Sequence, residues 1–265
     1  MSQRTGSGTP GSSVTGSGTM GSGSTGQGTA LLAGITGRIG EVLGRVEEIG
    51  VAAESAGRAA RAAGRELRRA DFTVLRPLAA DLLREQAGLV AGAGVVLAPD
   101  VAADAPRCIE WWWADAAVRI SRLYVDTDPG SAECYDYTTT EWYREPERTG
   151  RAAVAGPYVD FICTREYTFT LAVPVHDAGR FLGVAGADIL AGQIERLVLP
   201  GLAGLGRVAV LVSGCGRVIA SNSASIRPGT VLRGPDRPAG LVPVAGLVPV
   251  AGLGGLLPWT LLSAS

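Results

Sequence analysis

From residue 31 to residue 49 the apolar positions fall three and four apart: Leu31, Ile35, Ile39, Val42, Leu43, Val46 and Ile49. Arg and Glu fill the remaining positions, and Glu41 stands four residues before Arg45. That spacing predicts an amphipathic helix from residue 30 to about 70, whose later half is Ala-rich. Its internal glycines cost helix stability, so a break is expected near Gly50. A second helical stretch is expected from about 72 to 91, carrying Leu75, Leu78, Leu82 and Leu83, with Pro77 near its start. The stripe is too short and irregular for a coiled coil. It serves either to pack the helix on its own domain or to pair it with a copy or a signalling partner.

Beyond residue 93 the pattern shortens. VVLAPD, AVRISRLYVDTD and AECYDYT read as short strands, with turns at Pro99 and at Asp128–Gly130. Between the first two lie Trp111, Trp112 and Trp113. Three consecutive side chains cannot share one face, so at least one is expected to be partly exposed or to line a cavity. EWYREPER reads as a short helix or loop, and GPYVD comes after a Gly-Pro turn. YTFTLAVPVHD and FLGVAGADIL form a hairpin about DAGR, with His176 exposed at its turn. AGQIERLVLPGLAGL is a short helix, VAVLVSGCGRVIAS a hairpin turning at Gly214–Gly216, and LPWTLLSA a last strand. The tandem AGLVPV at 239–250 is taken as slippage in a loop. The sum is an α+β fold, a long N-terminal helix followed by antiparallel sheet with short flanking helices.

Composition narrows the classes. Residues 1–29 are a Gly/Ser/Thr tract with almost nothing to bury, so disorder is expected there. The net charge of −1 gives no reason to expect nucleic acid as a partner. All the cationic side chains other than His176 are Arg, which with the Ala and Gly abundance points to codon bias rather than to function. Four scattered cysteines without a CxxC pair, and one His, argue against a zinc site and favour free, buried thiols. No signal peptide or membrane span is read, and no cofactor is expected, so the chain is expected to be soluble and cytoplasmic.

The candidate chemistry sits in residues 135–160, YDYTTTEWYREPERTGRAAVAGPYVD. Aromatics with polar tips beside carboxylates suit the lining of a pocket for something small, polar and cationic. Core packing is the competing account of Tyr135, Trp142 and Tyr143, and a solvated strand end is that of Asp188. Asp160 is harder to read as structure, because a buried carboxylate needs a partner.

YDYTTTEWY, GPYVD and PVHDAGRFLGVAGADI, in that order, resemble the ligand-binding module of Cache sensor domains, which are PAS-like and preceded by a long helix. VLVSGCGRVIASN and PWTLL resemble the start and end of the second module of double Cache proteins, here truncated. The resemblance implies a pocket built from Tyr135, Trp142, Tyr143, Tyr158, Asp160 and Asp188, as in the branch that binds amino acids or amines. In that branch an Arg stands two residues before the Trp and holds the ligand carboxylate. Here the position is Thr140, and a Thr cannot replace a guanidinium's two parallel charge-assisted bonds. The ammonium side is complete, with two acids and three aromatic rings. Arg144 or Arg165 offers another route to a carboxylate.

The resulting expectation is a non-catalytic sensor that binds a small amine or amino-acid-like metabolite and signals through a partner. Its expected divisions are a disordered tail at 1–29, a helical region at 30–91, a Cache module at 92–190 and a truncated second module at 191–265. A homodimer through the N-terminal helix is a candidate assembly. The competing readings are an interaction or oligomerisation protein without a ligand, and a carboxylate-dependent hydrolase using Asp160 and Asp188. Members of the resembled family are often extracytoplasmic and membrane-anchored.

Overall fold

The computed structural model describes residues 22–162, 165–233, 238, 240–244 and 256–264; for residues 22–29 and Leu32 it describes the backbone alone. Helix α1 runs unbroken over Ser22–Ala62. It therefore begins eight residues before the expected boundary, inside the Gly/Ser/Thr tract, because extending a formed helix costs far less than nucleating one. The rest of that tract and most of the AGLVPV repeat lie outside the described residues. The stripe Ile35, Ile39, Val42, Val46, Ile49 and Ala53 is buried. It packs on strands β1 (Val90–Leu97), β5 (Tyr167–Asp177) and β6 (Arg180–Leu190) and on helix α4 (Ala191–Gly204). The stripe is thus taken up by the chain's own core.

Helix α1 does not break near Gly50. A Cβ at Gly57 would stand 2.8 Å from Leu182 Cδ1, and one at Gly50 would touch Val173 at 3.4 Å. These glycines face the sheet and let the helix approach it, a packing gain that offsets their intrinsic cost. The helix stops at Ala62 rather than near 70. Gly64 takes a left-handed φ of 62°, and the Arg65 N–H reaches back to the Ala60 carbonyl, as at many helix ends. The next expected helix also differs. A 3-10 helix (Arg69–Leu75) leads into helix α2 (Arg76–Glu85), and the chain is already in β1 by Val90. Ala and Gly are poor strand formers by propensity, but both faces of β1 are buried and small residues fit there.

Strands β1, β5 and β6 join β2 (Ile109–Ala114), β3 (Ile120–Arg122) and β4 (Ala153–Val159) in one antiparallel sheet, ordered β3-β2-β1-β6-β5-β4. Of AVRISRLYVDTD only Ile120–Arg122 is strand. AECYDYT is not a strand: Asp136 accepts the Thr138 N–H and starts a 3-10 turn at Tyr137–Thr139. GPYVD lies within and just after β4, which shifts register between Ala155 and Tyr158. Helix α3 (Glu141–Thr149) covers the face of β4, β5 and β6 opposite to α1.

Helix α4 leads to a second antiparallel sheet. It is ordered β8-β7-β10-β9 from β7 (Ala209–Val212), β8 (Val218–Ser221), β9 (Leu241–Pro243) and β10 (Thr260–Ala264). Cys163 lies outside the described residues; of the other cysteines, all free, Cys108 is buried, Cys134 half-buried and Cys215 exposed, so among the described residues the expected burial holds for Cys108 alone. His176 is half-buried against Phe181, with ring centroids 5.6 Å apart, rather than exposed at the turn.

The two-residue period of the large sheet separates its duties. Trp112, Ala93, Ala185, Ala187, Leu171 and Val173 join the core beneath α1. Trp111, Ala172 and Val184 point to the other face, beneath α3. The tryptophan run is resolved accordingly: Trp112 is core, Trp111 lines the opposite face, and Trp113 is half-buried. Because Ile49 is fully buried in the α1 seam, Ile49→Ala is expected to lower the unfolding free energy by about 2–4 kcal/mol in a urea titration. Val51→Ala, two residues on but 60% exposed, should change it by no more than about 0.5 kcal/mol. Equal effects of the two substitutions would contradict this packing.

Candidate functional site

The face beneath α3 holds a depression whose blind end is polar. On β6, Asp188 pairs across the ladder with Gly92 of β1 and Thr170 of β5. Each neighbour supplies something a buried carboxylate needs. Thr170 supplies a proton: its Oγ1 donates to Asp188 Oδ1 at 2.7 Å. Gly92 supplies space, since a Cβ there would strike Trp111 Nε1 and stand 3.1 Å from Asp188 Oδ2. A hydroxyl has one proton. With that of Thr170 given to Asp188, the short bond between the Tyr158 hydroxyl and Thr170 Oγ1 carries the tyrosine's proton. The relay Tyr158–Thr170–Asp188 therefore uses its donors internally, and the tyrosine oxygen keeps lone pairs for a visitor.

Asp160 is the second acid. It closes β4 and is 8% exposed, and its Oδ1 accepts the Ile162 N–H at 3.0 Å. Asp188 is 7% exposed, and its pKa is pushed up to about 7. Burial is the largest cause; the Thr170 hydrogen bond opposes it, and the Asp160 charge adds to it. The hydroxyls of Tyr135 and Tyr158 are also held well above their ordinary range, first by burial and then by the charge of Asp188. Both stay protonated at any physiological pH.

Two connected spaces open on these groups. The inner one, about 40 Å³, lies between Asp188, Thr170, Trp111, Tyr135 and Trp142. It has room for one small polar group. The outer one, about 520 Å³, is lined by Tyr135, Thr140, Trp142, Tyr158, Asp160, Phe161 and Arg217, among others. Tyr135, Trp142, Tyr158 and Asp160 border both.

Of the six residues named from the sequence, Tyr135, Trp142, Tyr158, Asp160 and Asp188 thus come together. Tyr143 does not join them. It is 1% exposed and packs edge-on against Tyr137 and Phe181, with centroids at 5.4 and 5.8 Å. Adjacent helix residues point about 100° apart, so Trp142 and Tyr143 cannot both face the same cavity. Thr140 does line the outer space, but its hydroxyl donates to the Tyr137 carbonyl at 2.7 Å. Arg144 and Arg165 are exposed and line neither space.

Three contributors were not named as site residues from the sequence. Trp111 and Thr170 are set by strand register; the tryptophan run suggested that one of its members lines a cavity without saying which, and the alternation of TFTLAV hinted at Thr170. Arg217 comes from the distant β7–β8 turn and left no local signal.

The family described as methyl-accepting chemotaxis protein-like, first PDC sensor domain, matches residues 87–196. That segment is similar to a PDC sensor domain, and the α+β architecture is the PDC, PAS-like one. A solved structure titled methyl-accepting chemotaxis protein X is similar at TM-score 0.62 and 19% identity, over 92% of this chain and 97% of that one. The ligand-binding domain of the Pseudomonas aeruginosa PAO1 amino acid chemoreceptor PctB, in complex with L-Gln, is similar at TM-score 0.53 and 18% identity, over 90% and 88% of the two chains. That of PctC from the same organism, in complex with GABA, is similar at 0.50 and 20%, over 91% and 95%. Among the described residues no helix is long and apolar enough to cross a membrane. The expected cytoplasmic location gains no support from these matches.

Asp188 gives the site a pH signature. Its ordinary pKa is 3.8 and its folded one about 7. Between them the unfolded chain has released this proton while the folded one keeps it, so stability falls as pH rises. The slope is about 1.4 kcal/mol per pH unit, levelling off above the folded pKa. In urea titrations from pH 4 to pH 8, the wild type should lose this stability relative to Asp188→Asn, in which the group cannot ionise. Parallel profiles for the two proteins would show that Asp188 titrates as an ordinary surface acid.

Proposed function

We propose that this chain is a non-catalytic sensor that binds a small amine or amino-acid-like metabolite at the Asp188 site and passes the event to a partner. The observation that carries the reading is the buried Asp188 carboxylate at the end of an aromatic-walled cavity, with its relay oriented to leave acceptors facing inward. An ammonium offers three donors and fits a space of that size. Asp160 supplies a second negative charge, and the Trp142 and Tyr158 rings offer faces to a cation. The absence of an Arg at position 140 favours ligands recognised first by their amine. The amino acid and GABA in the titles of similar structures carry amines too, which agrees with this reading. We take the six-stranded unit as the sensing module and the four-stranded sheet as a reduced second module.

Binding an ammonium requires Asp188 to be ionised, so the ligand must displace its proton below the folded pKa of about 7. Calorimetric titration with primary amines and amino acids should give affinities that climb about tenfold per pH unit up to that value and level off above it. Asp188→Asn should lose at least about tenfold in affinity, together with the pH dependence. If no amine raises the melting temperature or releases heat at pH 8, the site does not serve this function.

A further inference from the structure

The outer cavity has one cationic wall residue among the described residues, Arg217, and it comes from the second sheet. Its place is fixed from several sides. The Arg217 N–H donates to Ser213 Oγ at 3.2 Å, its carbonyl accepts the Ser213 N–H at 2.9 Å, and its Nη1 donates to the Gly229 carbonyl at 2.8 Å. A guanidinium has five N–H donors, and that single bond to a neutral carbonyl leaves most of them open. No acid among the described residues pairs with it. It is half-buried, so water screens its charge less than that of a surface Arg. Asp188 borders the inner space and not the outer one, while Asp160 borders both.

We propose that the ligand is dipolar, with its ammonium at Asp188 and a carboxylate or comparable anion at Arg217, and that binding thereby joins the two sheets. This rests on the reading above that Asp188 receives the ammonium. The inner space holds one small group and Arg217 borders only the outer one. The two charges of the ligand must therefore be separated by a chain rather than carried on one carbon. The class is an ω-amino acid. An α-amino acid with its ammonium at Asp188 would place its carboxylate beside that acid, in the inner space that Arg217 does not border. A guanidinium holds a carboxylate through paired charge-assisted bonds, so one side chain suffices for that end.

The test uses the full chain and three probes with the same five-carbon skeleton: 5-aminopentanoate, n-pentylamine and L-norvaline. At pH 8, 5-aminopentanoate should bind at least about tenfold tighter than either of the others. Arg217→Gln keeps a donor for the Gly229 carbonyl, and it should erase that advantage while leaving n-pentylamine affinity within about twofold. Arg217→Glu should reverse the preference, so that 1,5-diaminopentane outbinds 5-aminopentanoate. The proposal is overturned if n-pentylamine binds as tightly as 5-aminopentanoate in the wild type. It is equally overturned if both Arg217 variants weaken these two probes in the same proportion. A loss of all binding in Asp188→Asn alongside an unchanged preference order in the Arg217 variants would spare the amine site and reject the role of Arg217. No binding of any probe to the wild type would instead reject the amine site itself.

Discussion

A carboxylate in the middle of a six-stranded sheet must be reconciled with its surroundings, and the rest of the site depends on how that is done. Asp188 sits on β6, one of the two central strands, where burial favours the neutral acid. Its ladder partners make the position tenable: Gly92 leaves room and Thr170 donates a proton. The Thr170 oxygen in turn is served by Tyr158, which the register shift in β4 sets beside it. The opposite face of the same strands is apolar beneath the α1 stripe, with the Arg61–Asp177 ion pair at the end of β5. The buried carboxylates of the site are thereby kept on the other face, and α3 with the 3-10 turn before it forms the wall over them.

How legible each part was depended on whether its cause is local. The α1 stripe and the β5–β6 hairpin stood out, because apolar spacing alone sets them. The α1 glycines misled, since their value lies in the approach to Leu182 and Val173, which no local rule encodes. The first residues of β1, Val90–Gly94, were hidden by their Ala and Gly content, for burial on both faces is a property of the sheet and not of the segment, while its end at Val95–Leu97 was read as strand. Asp160 and Asp188 could be paired across the chain only through a resemblance of ordered motifs. Thr170 and Trp111 are placed by cross-strand register, which the sequence does not state. Tyr143 shows the reverse error: adjacency to Trp142 suggested a shared role, while helix geometry sends it to the core instead.

On the proposed reading, the same constraint explains how a binding event is felt. An empty site holds a proton that an amine must displace, so occupancy changes both the charge and the hydrogen bonds of the central strands. Helix α1 packs on the back of β5 and β6, and α4 leads from β6 to the second sheet, whose β7–β8 turn carries Arg217. A ligand gripping Asp188 and Arg217 together would tie the two sheets across one cavity, giving the event a route to a partner that grips either the helix or the second sheet.

The central claim is that the Asp188 proton is held by burial and released to solvent when an ammonium binds. Carbon-13 NMR of the side-chain carboxyl, assigned through Asp188→Asn, reads this directly. The account predicts a midpoint near pH 7 in the free protein, and one displaced downward by about one unit or more when a bound amine stabilises the carboxylate. A midpoint near the ordinary carboxylate value, unmoved by saturating ligand, would contradict it.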